Sequence, residues 1–123
     1  MTGERMDHAD AAWLHMDRST NLMVVNVVLW LDRPLDRDAL LAVLDKRLVG
    51  PFPRFRQRVV HRGAARGGPA WVDDPDFSLD RHVRNVRLAA PGDMRALQRF
   101  VGARAGVPLD RSRPLWEAHT VDS

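Results

Sequence analysis

Hydrophobic positions along this chain follow helical spacing in some stretches and strand spacing in others. The first half opens with a short amphipathic pattern over residues 9–17, which predicts a helix. A nearly continuous apolar run, Leu22–Leu31, follows, and its β-branched middle predicts a strand buried on both faces. Asp36 is then typical of a helix N-cap, and Gly50 of the helix end. The apolar stripe of this second helix consists of Leu40, Val43, Leu44 and Leu48.

The second half combines short strands with one further helix. Strand patterns occur over residues 54–60, 70–72, 82–88 and 114–121. Asp93 predicts the N-cap of a helix that ends near Gly106. Its apolar face carries Met94, Leu97 and Val101.

Helices interspersed with strands predict a layered α/β domain of the α+β kind over residues 1–123. The last strand is apolar and is followed only by Asp122 and Ser123. A bare apolar strand is a liability in a finished protein. We therefore expect this strand to be an edge whose neighbours belong to polypeptide outside these 123 residues.

The chain contains neither a signal-peptide pattern nor a run long enough to span a bilayer. Its first ten residues are polar and mixed in charge. The longest apolar run is about half the length of a transmembrane helix. We therefore expect a cytoplasmic protein without a transmembrane segment.

Composition narrows the classes of function. The absence of cysteine excludes disulfides and thiolate metal sites. The 19 basic and 16 acidic residues leave a net charge of only +3, and every basic residue except Lys46 is arginine. The calculated pI of 10.8 therefore reflects the high pKa of arginine rather than a strong positive field.

Neither a metal site nor a catalytic site emerges from the spacing of chemically active residues. Metal binding would need histidines one helical turn apart, or a ladder of them beside carboxylates. No such arrangement occurs among His8, His15, His61, His82 and His119. Proline interrupts the carboxylates Asp73, Asp74 and Asp76, which favours a solvated turn over an ion site. The loop Gly63–Gly68 lacks the Lys-Ser/Thr of a phosphate-cradling loop, so a flexible connection is the preferred interpretation.

Three alternating arginines suggest a surface that binds nucleic acid or another anion. Arg54, Arg56 and Arg58 would share one face of the predicted strand over residues 54–60, close to Phe52 and Phe55. Basic side chains beside aromatics are typical of nucleic-acid platforms. The near balance of charge argues against nucleic acid and favours a solvated face or one that attracts an anionic ligand.

Three collinear stretches resemble the N-terminal region of bacterial wax ester synthase/diacylglycerol acyltransferases. They are DHADAAWLHMDRSTNLMVVNVVLWLD (Asp7–Asp32), RLVGPFPRFRQRVV (Arg47–Val60) and PLDRSRPLWEAHTVD (Pro108–Asp122). The third holds the Pro-Leu-Trp element of the family at Pro114, Leu115 and Trp116, and it is the most specific of the three.

The resemblance implies a fold like that of chloramphenicol acetyltransferase and condensation domains, with two α/β lobes around a tunnel. It also implies transfer of an acyl group from acyl-CoA, a substrate, to the hydroxyl of a diacylglycerol or a long-chain alcohol, without a cofactor and at times at lipid surfaces. The general base of the family lies in a His-His-x-x-x-Asp-Gly motif after the Pro-Leu-Trp strand. This sequence contains no adjacent histidines, so no residue in it inherits that role.

The resemblance therefore implies that residues 1–123 form a partial N-terminal lobe, inactive by itself. Pro114, Leu115 and Trp116 would support the tunnel or the strand that leads to the base, and for Trp116 a place in the core is the preferred interpretation of the two. Two other hypotheses stay open. One is a lobe that assembles with a separately encoded half, and the other is a small anion- or nucleic-acid-binding module.

Overall fold

The computed structural model describes residues 3–16 and 24–122, which form short helices and two small sheets. The helices are α1 (His8–Met16), α2 (Arg37–Leu44), α3 (Leu79–His82) and α4 (Met94–Ala105). The strands are β1 (Glu4–Arg5), β2 (Gln57–Val60), β3 (Ala70–Asp73), β4 (Val83–Arg87) and β5 (Ala118–Asp122). A π-helical turn (Asp45–Val49) extends α2, and 3₁₀ turns occupy Pro53–Arg56 and Ala64–Arg66.

The predicted helices are confirmed at their N-termini. The Asp36 carboxylate accepts a hydrogen bond from the backbone N–H of Asp38 at 3.2 Å, and the Asp93 carboxylate accepts one from that of Ala96 at 3.0 Å. Both side chains thereby satisfy amide groups that have no partner within the helix. The apolar face of α4 differs from the prediction, because Ala96 is its buried residue and Met94 is 53% exposed.

The strands form one antiparallel and one parallel sheet. β3 lies between β1 and β2 in the first, and the Cα of Val59 lies opposite that of Trp71. In the second, β4 and β5 run parallel over five paired positions, from Val83 opposite Ala118 onward. Parallel neighbours need a crossover connection, which here contains α4.

Three predictions about strands need correction. The strand predicted over residues 54–60 begins only at Gln57, because Pro53 starts a 3₁₀ turn in which the N–H of Phe55 bonds to the carbonyl of Phe52 at 3.2 Å. The strand predicted over 114–121 begins only at Ala118, after a turn. This last strand was also expected to lack neighbours, yet it pairs with β4 along its length.

The prediction of a buried strand at Leu22–Leu31 is wrong for the part that can be examined. Its first two residues lie outside the described ranges, and residues 24–31 join neither sheet. Their side chains are largely exposed, with Val25 at 86% and Leu29 at 80%. Apolar character alone therefore did not place this segment in the interior of the described structure.

The core is small and lies between α1 and the antiparallel sheet. Met6, Leu14 and Val59 are buried together, and the partly buried residues packed around them are Ala11, Trp71 and Leu115. Leu115 thus joins the segment before β5 to this core. No helix within residues 3–16 and 24–122 is long and apolar enough to cross a membrane.

Candidate functional site

Trp116 is the centre of an aromatic cluster that links three segments distant in sequence. Its ring centroid lies 4.3 Å from that of His82, 5.7 Å from that of Phe55 and 6.5 Å from that of Phe77. Phe77 also contacts His82, at 5.4 Å between centroids. Tilted and edge-on ring pairs of this kind stabilise by about 0.5–1.5 kcal/mol each beyond the area they bury.

Two polar contacts fix this cluster. The indole Nε1 of Trp116 donates a hydrogen bond to the carbonyl oxygen of Phe55 at 2.8 Å. The Nε2 of His82 bonds to the carbonyl oxygen of Trp116 itself. A carbonyl can only accept, so Nε2 carries the proton, and the neutral ring then keeps Nδ1 as its unprotonated nitrogen.

His82 is neutral at physiological pH because of its surroundings. Burial lowers the pKa of this imidazole, and the hydrogen bond to Trp116 opposes that effect without reversing it. Burial also lowers the pKa of His119, and the nearby Arg104 adds to this. His119 packs edge-on against Phe100 at 5.5 Å between centroids, and Glu117 forms an ion pair with Arg104.

The Pro-Leu-Trp residues therefore have different surroundings. Pro114 is buried, Leu115 packs against the core of α1 and the antiparallel sheet, and Trp116 is half-buried in the aromatic cluster. Trp116 and Pro114 also line a cavity of about 150 Å³, and Pro114 borders a second cavity of about 360 Å³. The three residues thus connect the segment before β5 with the core, the aromatic cluster and both cavities.

The other sequence-predicted candidates are dispersed. His8 and His15 lie on α1, His61 is exposed in a loop, and no group of three potential metal ligands occurs within the described ranges. Asp73 lies in β3, and Asp74 caps a turn by accepting from the N–H of Asp76 at 3.0 Å. Of these carboxylates, that of Asp74 holds a turn, which agrees with the turn that the sequence indicated.

The proposed arginine face does not exist. Arg54 lies in the 3₁₀ turn, forms an ion pair with Glu4 at 3.0 Å and stacks over Trp71 with 5.0 Å from Cζ to the ring centroid. Arg56 donates to the carbonyl oxygen of Val49 at 2.5 Å. Of the three arginines, only Arg58 lines either of the two cavities described above, so the ladder was an artefact of assuming an extended backbone.

No local pattern in the sequence indicated that His82 is a partner of Trp116. The two residues are 34 positions apart, and the helix α3 that ends at His82 has only four residues. Arg81, Arg84 and Arg113, which line the cavities, were missed for the same reason. Only the pairing of β4 with β5 brings these positions together.

Comparison with known proteins gives one consistent result. Residues 6–122 match the family described as the wax ester synthase/diacylglycerol acyltransferase catalytic domain. The chain is 39% identical over 123 positions to a probable diacylglycerol O-acyltransferase, tgs3, of Mycobacterium tuberculosis, covering 96% of this chain and 44% of that protein. It is 42% identical over 87 positions to another, tgs1, of the same organism, covering 71% of this chain and 19% of that protein.

A solved structure shows the same fold. The wax ester synthase/diacylglycerol acyltransferase from Marinobacter aquaeolei VT8 superposes with a TM-score of 0.62 and 24% identity, covering 96% of this chain and 30% of that one. This likeness confirms the predicted fold class. The chain thus spans less than half the length of each of these relatives.

Proposed function

We propose, from the premise that this chain belongs to the wax ester synthase/diacylglycerol acyltransferase family, that it forms part of an acyl-CoA-dependent O-acyltransferase. The observation that carries the proposal is the family match over residues 6–122, supported by a shared fold over 96% of the chain. The acceptor would be the hydroxyl of a diacylglycerol or a long-chain alcohol. Since such acceptors are lipids, we place the reaction in the cytoplasm at a lipid surface.

The reaction requires a base that these residues do not supply. The acceptor hydroxyl gives its proton to the base while its oxygen attacks the thioester carbonyl, the C–S bond breaks, and the coenzyme A thiolate leaves and takes up a proton. A positioned base of this kind contributes about a hundredfold to ten-thousandfold. The sequence has no adjacent histidines, so we assign the base to polypeptide other than residues 1–123, which we propose form a partial N-terminal lobe.

Within this lobe, Trp116 is the residue we propose as a support for catalysis. It joins the 3₁₀ turn Pro53–Arg56, the end of α3 and the entry to β5 through one hydrogen bond donated by its indole, one accepted by its carbonyl and three ring contacts. Misplacing a reacting group by about 1 Å can slow a reaction roughly a hundredfold. A shift of β5 would therefore reduce the rate even though Trp116 touches no reacting atom.

A chimera tests the proposal. Residues 6–122 replace the matching stretch of tgs3, and transfer of a labelled oleoyl group from oleoyl-CoA to dioleoylglycerol and to hexadecanol is measured beside unaltered tgs3. We expect ester formation by the chimera and none by the 123-residue chain alone. A folded chimera that forms no ester while unaltered tgs3 does would refute the proposed function.

A matched pair of tryptophan substitutions in the same chimera tests the supporting role. Trp116→Ala should lower ester formation roughly a hundredfold. Trp13→Ala is the control, because Trp13 is 57% exposed on α1, and it should leave the rate unchanged. Equal rates for the two variants would contradict the role assigned to Trp116.

A further inference from the structure

Two adjoining cavities beside Trp116 are lined by arginine side chains. They measure about 150 Å³ and 360 Å³, and they share four lining residues, Arg81, His82, Arg113 and Pro114. A cavity of about 300 Å³ is already in the range of small-molecule sites. The pair is therefore large enough for more than a single water or ion.

Several of these arginines have unused hydrogen-bond donors. Neither Arg58 nor Arg84 forms a hydrogen bond or an ion pair with a side chain in the described ranges. Arg81 makes one long contact, 3.4 Å to the backbone oxygen of Asp76, and Arg113 lies 3.7 Å from the carboxylate of Asp110. Each guanidinium has five N–H donors, so most of them remain available to a ligand.

The carboxylates of the cavities are, by contrast, mostly engaged. Asp110 accepts from the backbone N–H and the hydroxyl of Ser112 at 2.9 and 2.6 Å, and these bonds lower its pKa. Asp74 caps its own turn, and Glu117 pairs with Arg104, outside the cavities. Asp76 is the exception, because its carboxylate has no hydrogen bond or ion pair within the described ranges. Four carboxylates balance the charge of the four arginines, so the unpartnered guanidinium donors, and not a net positive charge, suit the cavities to an anionic ligand.

We propose that this arginine-lined cavity pair binds the phosphate groups of a phosphorylated ligand. A planar guanidinium can donate two parallel hydrogen bonds to one phosphate, which a lysine cannot do. Resting on the proposed function, we assign these phosphates to the diphosphate of the acyl-CoA donor. Bound there, the donor would lie against the aromatic cluster that holds the entry to β5.

Titration calorimetry on the 123-residue chain with inorganic pyrophosphate tests the site. We expect Arg58→Gln and Arg84→Gln each to raise the Kd for pyrophosphate about tenfold, because each removes a charge-assisted hydrogen bond. Arg84 is at an exposed position. Arg99→Gln, on the exposed side of α4 and outside both cavities, is the charge-matched control and should bind as the unaltered chain does. Absent binding, or an equal loss in the control, would overturn the proposal.

Competition distinguishes the possible sources of the phosphate. Coenzyme A should displace pyrophosphate from the unaltered chain and lose affinity in the Arg84→Gln variant. Binding to phosphatidylglycerol vesicles that pyrophosphate does not displace, with no binding of coenzyme A, would overturn the assignment. Because these measurements need no ester formation, failure of the chimera and failure of the phosphate site are separate results.

Discussion

At the scale of single residues, His82 couples the aromatic cluster to pH. Its ring is neutral, donates to the Trp116 carbonyl and makes tilted contacts with the rings of Phe77 and Trp116. Burial lowers its pKa from the ordinary value of 6.5. The unfolded chain therefore takes up a proton at this position at a higher pH than the folded chain does.

The stability of the chain should consequently fall on acidification. The contribution of His82 is complete above pH 6.5 and is lost as the pH falls from there through the lower folded pKa. The lowered pKa of His119 also makes the chain less stable as the pH falls. The free energy of unfolding, measured in urea at pH 7.5 and 5.5, should differ less between the two pH values in His82→Gln than in the unaltered chain, because glutamine cannot titrate.

The exposed His61 provides the control for this measurement. His61→Gln should keep the pH dependence of the unaltered chain. If both variants show the same difference between pH 7.5 and 5.5, burial of His82 is not its source.

At the scale of elements, capping residues were predictable and the strand boundaries were not. Asp36 and Asp93 act through amides two or three residues away, so the sequence indicated both helix starts. Residues 54–60 fitted a strand by alternation, but Pro53 favours a tight turn, and a window of seven residues cannot separate the two patterns. The partners of Trp116 depend on the parallel pairing of β4 with β5, which no local pattern specifies.

The N-cap of α4 should contribute measurably to stability. Asp93→Ala removes the acceptor for the Ala96 amide and should lower the free energy of unfolding by about 1 kcal/mol in urea titrations. Asp93→Asn keeps an oxygen acceptor and should lower the free energy of unfolding by only a small part of that amount. An equal loss in both variants would show that the charge at the helix N-terminus, and not the hydrogen bond, is what stabilises α4.

At the scale of the whole molecule, apolar surface is distributed unevenly. The family and the layered α+β fold were predicted correctly from three stretches of the sequence. The predicted burial of residues 24–31 was wrong. An apolar pattern shows which side chains avoid water, but it does not show which surface covers them. Contiguous apolar patches of this kind promote association. In the 123-residue chain this segment is the largest run of exposed apolar side chains within the described ranges.

Self-association of the chain should therefore depend on this segment. Val27 and Leu29 are 75% and 80% exposed, and Val27→Lys with Leu29→Lys should shift the chain toward monomer in light scattering, with unchanged circular dichroism. Val43→Lys with Met94→Lys adds the same charge at two isolated sites, each 53% exposed. If this control lowers association equally, net charge is responsible, since added like charge by itself keeps proteins apart. If it does not, the exposed residues 24–31 are the surface through which copies of the chain associate.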